Sequence, residues 1–109
     1  MLNKIKEIPE RLSQISELSG KVTFSHFSKP QTLPYAVYVF DKNTDGADGY
    51  NTLRKVSATI ELYQEQRDFE FEEKILEAFV DVPIATYSDY ISEEEMFMTE
   101  FSFDFVEKS

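Results

Sequence analysis

Two long stretches alternate between apolar and polar residues over most of their length, and they limit the possible folds more than anything else in the chain. In "TLRKVSATIELYQE" (52–65), Val56, Ala58, Ile60 and Leu62 fall on one side, with Ser57, Thr59, Glu61 and Tyr63 on the other. In "MFMTEFSFDFV" (96–106), Phe97, Phe101, Phe103 and Phe105 share one side, and Met96, Met98, Glu100, Ser102 and Asp104 share the other. Side chains of a strand point alternately to opposite faces. Each stretch therefore demands a sheet with one face on a core and one face toward solvent. The phenylalanine stripe suits a sheet face packed under a helix. Its acidic neighbours argue against a base-stacking platform, which needs Lys or Arg to follow a phosphate backbone.

Helices to cover that face are legible on either side. Leu2, Ile5, Ile8, Leu12, Ile15 and Leu18 recur every three or four residues, and Gly20 supplies a stop. Pro9 falls inside this stripe, which stays in phase across it, so the expectation is one helix over 2–18 kinked at Pro9 rather than a helix starting there. A second helix follows Asp68 as its cap and carries Phe71, Ile75, Leu76 and Phe79 on one face. Glu70, Glu72 and Glu73 stand in its first turns, where the helix dipole favours negative charge, and Pro83 marks its end.

Three more segments read as strands. "KVTFSHF" (21–27) alternates, "YAVYVF" (35–40) is apolar enough to be covered on both faces, and "ATYSDYI" (85–91) forms a hairpin with 96–106 through the "SEEE" turn. "KPQTLP" (29–34) is a loop, because two prolines and the residues before them disfavour helix. The order of elements defines an α+β fold: a mainly antiparallel sheet of about four to five strands with two helices packed on one face, in a single domain over 1–109.

Charge narrows the class of partner. The net charge is −10, unevenly spread: residues 1–55 hold 8 Lys/Arg against 6 Asp/Glu, and residues 56–109 hold 3 against 15. So acidic a half repels phosphate and disfavours duplex binding by charge neutralisation. It fits a surface that meets a basic partner, one that avoids sticking to a polyanion, or a solvated face. The absence of cysteine excludes disulfides and thiolate metal sites. No apolar run approaches the roughly 20 residues needed to cross a bilayer, and "MLNKIKEIPERL" lacks the apolar block of a signal peptide. The expectation is a soluble, intracellular start with no membrane partner.

The candidate chemical sites are weak. In "FDKNTDGADGYNT" (40–52), Asp41, Asn43, Asp45 and Gly46 match positions 1, 3, 5 and 6 of an EF-hand loop. Position 12, which needs a bidentate carboxylate, is Thr52, position 8 is Asp48, and the flanks read as strands rather than helices. A hairpin tip is the better reading, since Asp45-Gly46 and Asp48-Gly49 both suit turns with positive φ. His26 is the only histidine and has no nearby Cys or second His to share a metal. Glu93, Glu94 and Glu95 could supply paired carboxylates, but adjacent strand residues point apart and a solvated turn fits better. No G-x-S-x-G elbow and no glycine-rich phosphate loop is present. No catalytic residue, cofactor or metal site is expected, which leaves a binding or structural role.

Four stretches in order resemble the small tail-completion, or head–tail joining, proteins of long-tailed bacteriophages and prophages of Gram-positive bacteria. They are "LPYAVYVF" (33–40), the polar "DKNTDGADGYN" (41–51), "VSATIELYQEQRDFEFEEKILEAF" (56–79) and "DYISEEEMFMTEFSFDFVEK" (89–108). Together they span about two thirds of the chain, and their order and spacing carry the resemblance. It implies a tail terminator-like fold and a non-enzymatic protein that assembles as a ring, commonly a hexamer, between the tail tube protein and the head connector proteins. Its place would be the virion tail after assembly and the host cytoplasm before it. Asp41, Asn43, Asp45, Asp48 and Tyr50 would then belong to a subunit or partner contact loop. Acids such as Glu61, Glu65, Glu70 and Glu93 would face a channel through which DNA passes as cargo without specific binding. A different reading of the same acidic balance is a small adaptor or inhibitor that binds a basic partner. An enzyme using Glu61 or Glu93 through a metal is a third, with no converging constellation to support it.

Overall fold

The computed structural model describes residues 1–29, 31–43 and 53–108. Its elements in chain order are α1 (Glu7–Ser13), a 3-10 turn (Ser16–Leu18), β1 (Val22–Phe24), β2 (Tyr35–Asn43), β3 (Leu53–Gln64), α2 (Phe69–Ala78), β4 (Ala85–Ile91) and β5 (Met96–Lys108). The five strands form one sheet in the order β1-β2-β3-β5-β4. β1 runs parallel to β2, and every other neighbouring pair is antiparallel. This is the α+β architecture the alternation demands, with β3 and β5 at its centre.

The register shows why these two strands carry the longest patterns. Val56, Ala58 and Ile60 lie opposite Phe105, Phe103 and Phe101, so both apolar stripes fall on the same face. Both helices pack there: Ile8 and Leu12 of α1 and Phe71 and Ile75 of α2 join the same buried cluster as Ile60 and Phe101. Phe79, just past α2, meets the Phe103 ring at 5.3 Å. Burying each such side chain is worth about 1.5–3 kcal/mol, which makes this face the main source of stability.

The N-terminal segment departs from the single kinked helix that its periodicity implies. The α-helix covers only Glu7–Ser13. Pro9 sits in its first turn, where the missing N–H leaves no intrahelical bond unmade. Residues 2–5 form a non-helical arm, Ile15 is extended at ψ 119°, and Ser16–Leu18 make a 3-10 turn before Gly20 at φ +72°. Leu2, Ile8, Leu12, Ile15 and Leu18 are all buried nonetheless. The apolar spacing marks the core-facing side correctly, but an arm, a short helix and a turn produce it together.

β1 is also shorter than the 21–27 pattern. Ser25 adopts φ +67°, and the strand ends at Phe24, leaving His26 and Phe27 in the loop. In β2, Ala36 and Val37 are both buried, so the sheet is covered on its two faces at this point, as the apolar run implies. Asp68 caps α2 as its position indicates, its carboxylate accepting from the Phe71 amide at 3.1 Å. Glu72 stands in the first turn, as its position indicates, and is buried there. It is 7% exposed and accepts from Arg67 Nη2 at 2.8 Å and from Gln64 Nε2 at 3.0 Å. The Gln64 amide oxygen in turn accepts from the Asp68 amide at 2.9 Å, which ties the end of β3 to the start of α2.

Candidate functional site

The sheet face turned away from the helices is the surface with the most unusual chemistry. Its rungs follow from the register: Tyr35, Tyr63, Met98 and Asp89 on one, then Val37, Glu61, Glu100 and Tyr87, then Val39, Thr59, Ser102 and Ala85. Asp41, Ser57 and Asp104 form the next rung, and Asn43, Lys55 and Val106 the one after. The strand positions of this face thus carry Asp41, Glu61, Asp89, Glu100 and Asp104 against Lys55 alone, which pairs with Asp104 at 3.9 Å. Glu61 and Glu100 are directly opposite each other. Like charges in that position are destabilising.

At one end the acidic face turns aromatic. Tyr35 and Tyr63 stack with ring centroids 5.0 Å apart, and Phe27 meets Tyr35 edge-on at 5.5 Å. The Tyr63 hydroxyl donates to Glu61 Oε1 at 2.8 Å. Burial, that hydrogen bond and the nearby carboxylates push the Tyr63 phenol far above its ordinary pKa, and burial followed by Glu94 and Glu61 raises Tyr35. Both phenols stay protonated at neutral pH, so they are donors and flat apolar surfaces rather than bases or nucleophiles. A depression of about 420 Å³ opens here between residues 25–29 and the β4–β5 turn, lined by Phe27, Lys29, Tyr35, Val37, Tyr63 and Glu94 among others. His26 also lines it, exposed, with Nδ1 3.3 Å from Ser25 Oγ. At the far end of the face a second depression of about 400 Å³ is bordered by the exposed apolar residues Leu53 and Val106.

The residues singled out from sequence are scattered by the fold. Asp41 and Asn43 are exposed at the end of β2, while Asp45, Asp48 and Tyr50 lie outside the described residues. Glu61 stands on the open face, half-buried, and Glu65 is exposed just beyond β3. Glu93 is exposed in the β4–β5 turn. Glu70 belongs to α2, on the opposite side of the sheet from Glu61. Of the four acids, Glu70 is thus separated from Glu61 by the sheet. What the fold does bring together are Glu61 and Glu100, and Tyr35, Tyr63 and Glu94, groups that pattern reading left unassembled. Their outward alternation was visible, but which strands pair, and in what register, was not. Among the described residues, no group of three His, Cys, Asp or Glu side chains is placed to hold a metal ion.

No protein-family model matches the chain, and no curated protein matches it. Among solved structures the fold is similar to that of a chain described as "Virion of native gene transfer agent (GTA) particle". The TM-score is 0.61 at 11% identity, with 89% of this chain and 88% of that chain covered. At that identity the likeness is one of fold, extending over nearly the whole of both chains.

Proposed function

We propose that the protein is a non-enzymatic structural component of a phage-type particle, acting as a tail-completion or head–tail joining subunit. The observation that carries the reading is the fold likeness to a virion chain across about nine tenths of each partner. The order of sequence stretches that resembles tail-completion proteins supports it independently. In this reading copies of the chain form a ring, with six as the number the resemblance implies, at the head-proximal end of the tail tube and against the head connector. Asp41 and Asn43, with Asp45, Asp48 and Tyr50 beyond them, belong to a contact segment. Acids turned toward the passage, Glu61 foremost because it lies on the open face, would let DNA move without adhering, since like charge removes the gain from counterion release.

The test is to mix the purified protein with tail tubes that lack a completion protein, then sediment and image them. Rings at one end of each tube are expected. A protein that is folded by circular dichroism yet stays in the supernatant would overturn the reading. A second reading, a small acidic adaptor for a basic partner, is favoured by one specific observation, the five carboxylates at the strand positions of the open face against a single lysine there.

A further inference from the structure

Two of the three arginines in this chain share an arrangement. Arg11 lies over the Phe79 ring at 5.3 Å and pairs with Asp81 at 2.7 Å. Arg67 lies over the Phe69 ring at 4.6 Å and pairs with Glu72 at 2.8 Å. In each case a planar guanidinium meets an aromatic face and a carboxylate together, the combination for which arginine is better suited than lysine. The depression at the end of the open face presents the same two components. Tyr35 and Tyr63 supply the aromatic surface, Glu94 lines the depression, and Glu61 stands at its margin, held by the Tyr63 hydroxyl. No arginine lines it, and Arg54, the third, pairs in register with Glu107 on the helix side of the sheet. Lys29 stands on the loop side of the depression. Among the described residues, none of Lys29, Glu61, Glu94 and Glu100 forms an ion pair within 4 Å.

We propose that this depression receives an arginine side chain from a partner protein, its guanidinium against the tyrosine pair and directed at Glu61 and Glu94. The charge complementarity is specific. A guanidinium there would relieve the repulsion between Glu61 and Glu100 and would meet a carboxylate already oriented by a hydrogen bond. The inference does not rest on the tail-assembly reading, because it concerns the chemistry of one surface whatever the larger machine.

The probe is the pentapeptide acetyl-Gly-Gly-Arg-Gly-Gly-amide, titrated at low salt while the Tyr35 and Tyr63 ring resonances are followed by NMR. Its citrulline counterpart has the same shape without the charge, and a lysine counterpart keeps the charge without the plane. Saturable shifts are expected at both tyrosines with a millimolar Kd. Affinity should fall at least about tenfold for citrulline and about tenfold in the E61Q/E94Q variant, because charge-assisted contacts are lost in both cases. Equal binding of citrulline overturns the proposal, as does arginine peptide that leaves both tyrosines unmoved. Lysine peptide binding as tightly as arginine overturns the assignment to a guanidinium. If the double variant fails to fold, Glu94→Gln on the exposed turn decides, and unchanged affinity there overturns the proposal. A positive result with no rings on tail tubes would separate this site from the assembly reading.

Discussion

Asp81 joins three parts of the fold, and replacing it with Asn should show how far the N-terminal arm depends on one carboxylate. Its Oδ1 accepts from Arg11 Nη1 at 2.7 Å and its Oδ2 accepts from Arg11 Nη2 at 3.1 Å and from the Leu2 amide. Arg11 also donates to the Ala78 carbonyl at 3.0 Å, so arm, α1 and the end of α2 meet at one ion pair. The arm matters because Leu2 is 2% exposed and forms part of the core. Hydrogen bonds to charged groups contribute about 1.5–3 kcal/mol, and the partial exposure of this pair, 21% and 27%, argues for the lower part of that range. Asp81→Asn keeps the shape and loses the charge, so a cost of about 1.5–2 kcal/mol is expected. For a chain of 109 residues that lowers Tm by about 7–9 °C at neutral pH. The pH dependence carries the sharper test. The hydrogen bonds from Arg11, then that from the Leu2 amide, hold the Asp81 carboxyl well below the usual range. The unfolded chain takes up this proton near about pH 3.9, the folded chain only in stronger acid. The stabilisation is therefore complete above about pH 5 and is lost progressively as pH falls through the folded value. The gap in Tm between parent and Asp81→Asn should narrow steadily from about pH 4 downward. A gap that is absent at neutral pH, or that keeps its full size in strong acid, would refute the reasoning. Glu107, whose carboxylate accepts from the Ile5 amide at 2.8 Å, is lowered too, by that bond and by Lys42, but it is common to both proteins and cancels in the comparison.

Other perturbations test other joints. Glu72→Ala leaves the Gln64 amide and the Arg67 guanidinium without their shared acceptor and should cost about 2–3 kcal/mol in urea unfolding, with Glu72→Gln costing less. Glu100→Lys turns the like-charged pair with Glu61 into an attractive one and should raise Tm by about 2–4 °C, an increase that shrinks in high salt. An unchanged or lower Tm would show that the two carboxylates do not repel in the folded protein. Gly20→Ala should cost about 1 kcal/mol through backbone strain alone, because Gly20 is at φ +72° and an added Cβ would meet nothing within 4 Å. Gly20→Asn should be milder, since Asn tolerates that region, and equal losses for the two would point to a packing cause instead.

The parts of the fold that the sequence made legible are those where one local period coincides with one element. β3 and β5 alternate over most of their length, so their faces, their pairing with a helix-covered core and the positions of Ile60 and Phe101 follow from pattern alone. The cap at Asp68 is equally local, a single side chain and an amide three residues on. The N-terminal arm shows where this ends. Spacing reports which residues face the core, and a sequence of arm, helix and turn lying along one groove preserves that spacing without being one helix. Backbone conformation at Ile15 and Ser25 is what breaks the elements, and neither residue type announces it.

The open face was hidden for a different reason. Its acids and tyrosines are individually visible as outward positions on four strands, but a carboxylate becomes a feature only beside what the register sets next to it. Glu61 is 39 residues from Glu100 in sequence and directly opposite it in the sheet; Tyr35 is 28 residues from Tyr63 and stacks on it at 5.0 Å. A shift of the β3–β5 pairing by two residues would keep every apolar residue on the core face while moving Glu61 opposite Ser102 or Met98. The hydrophobic pattern is thus indifferent to shifts of that kind, so it selects the core face and leaves the composition of the outer face to be set by the details of pairing. If the face recognises a cation, selection has acted on the register itself, and a variant that shifts the β3–β5 pairing by two residues should retain most of its stability while losing the arginine site. Binding by the peptide that survived such a shift would mean that Tyr35, Tyr63 and Glu61, which keep their places on β2 and β3, suffice without Glu94, and that the carboxylate from the β4–β5 turn is dispensable.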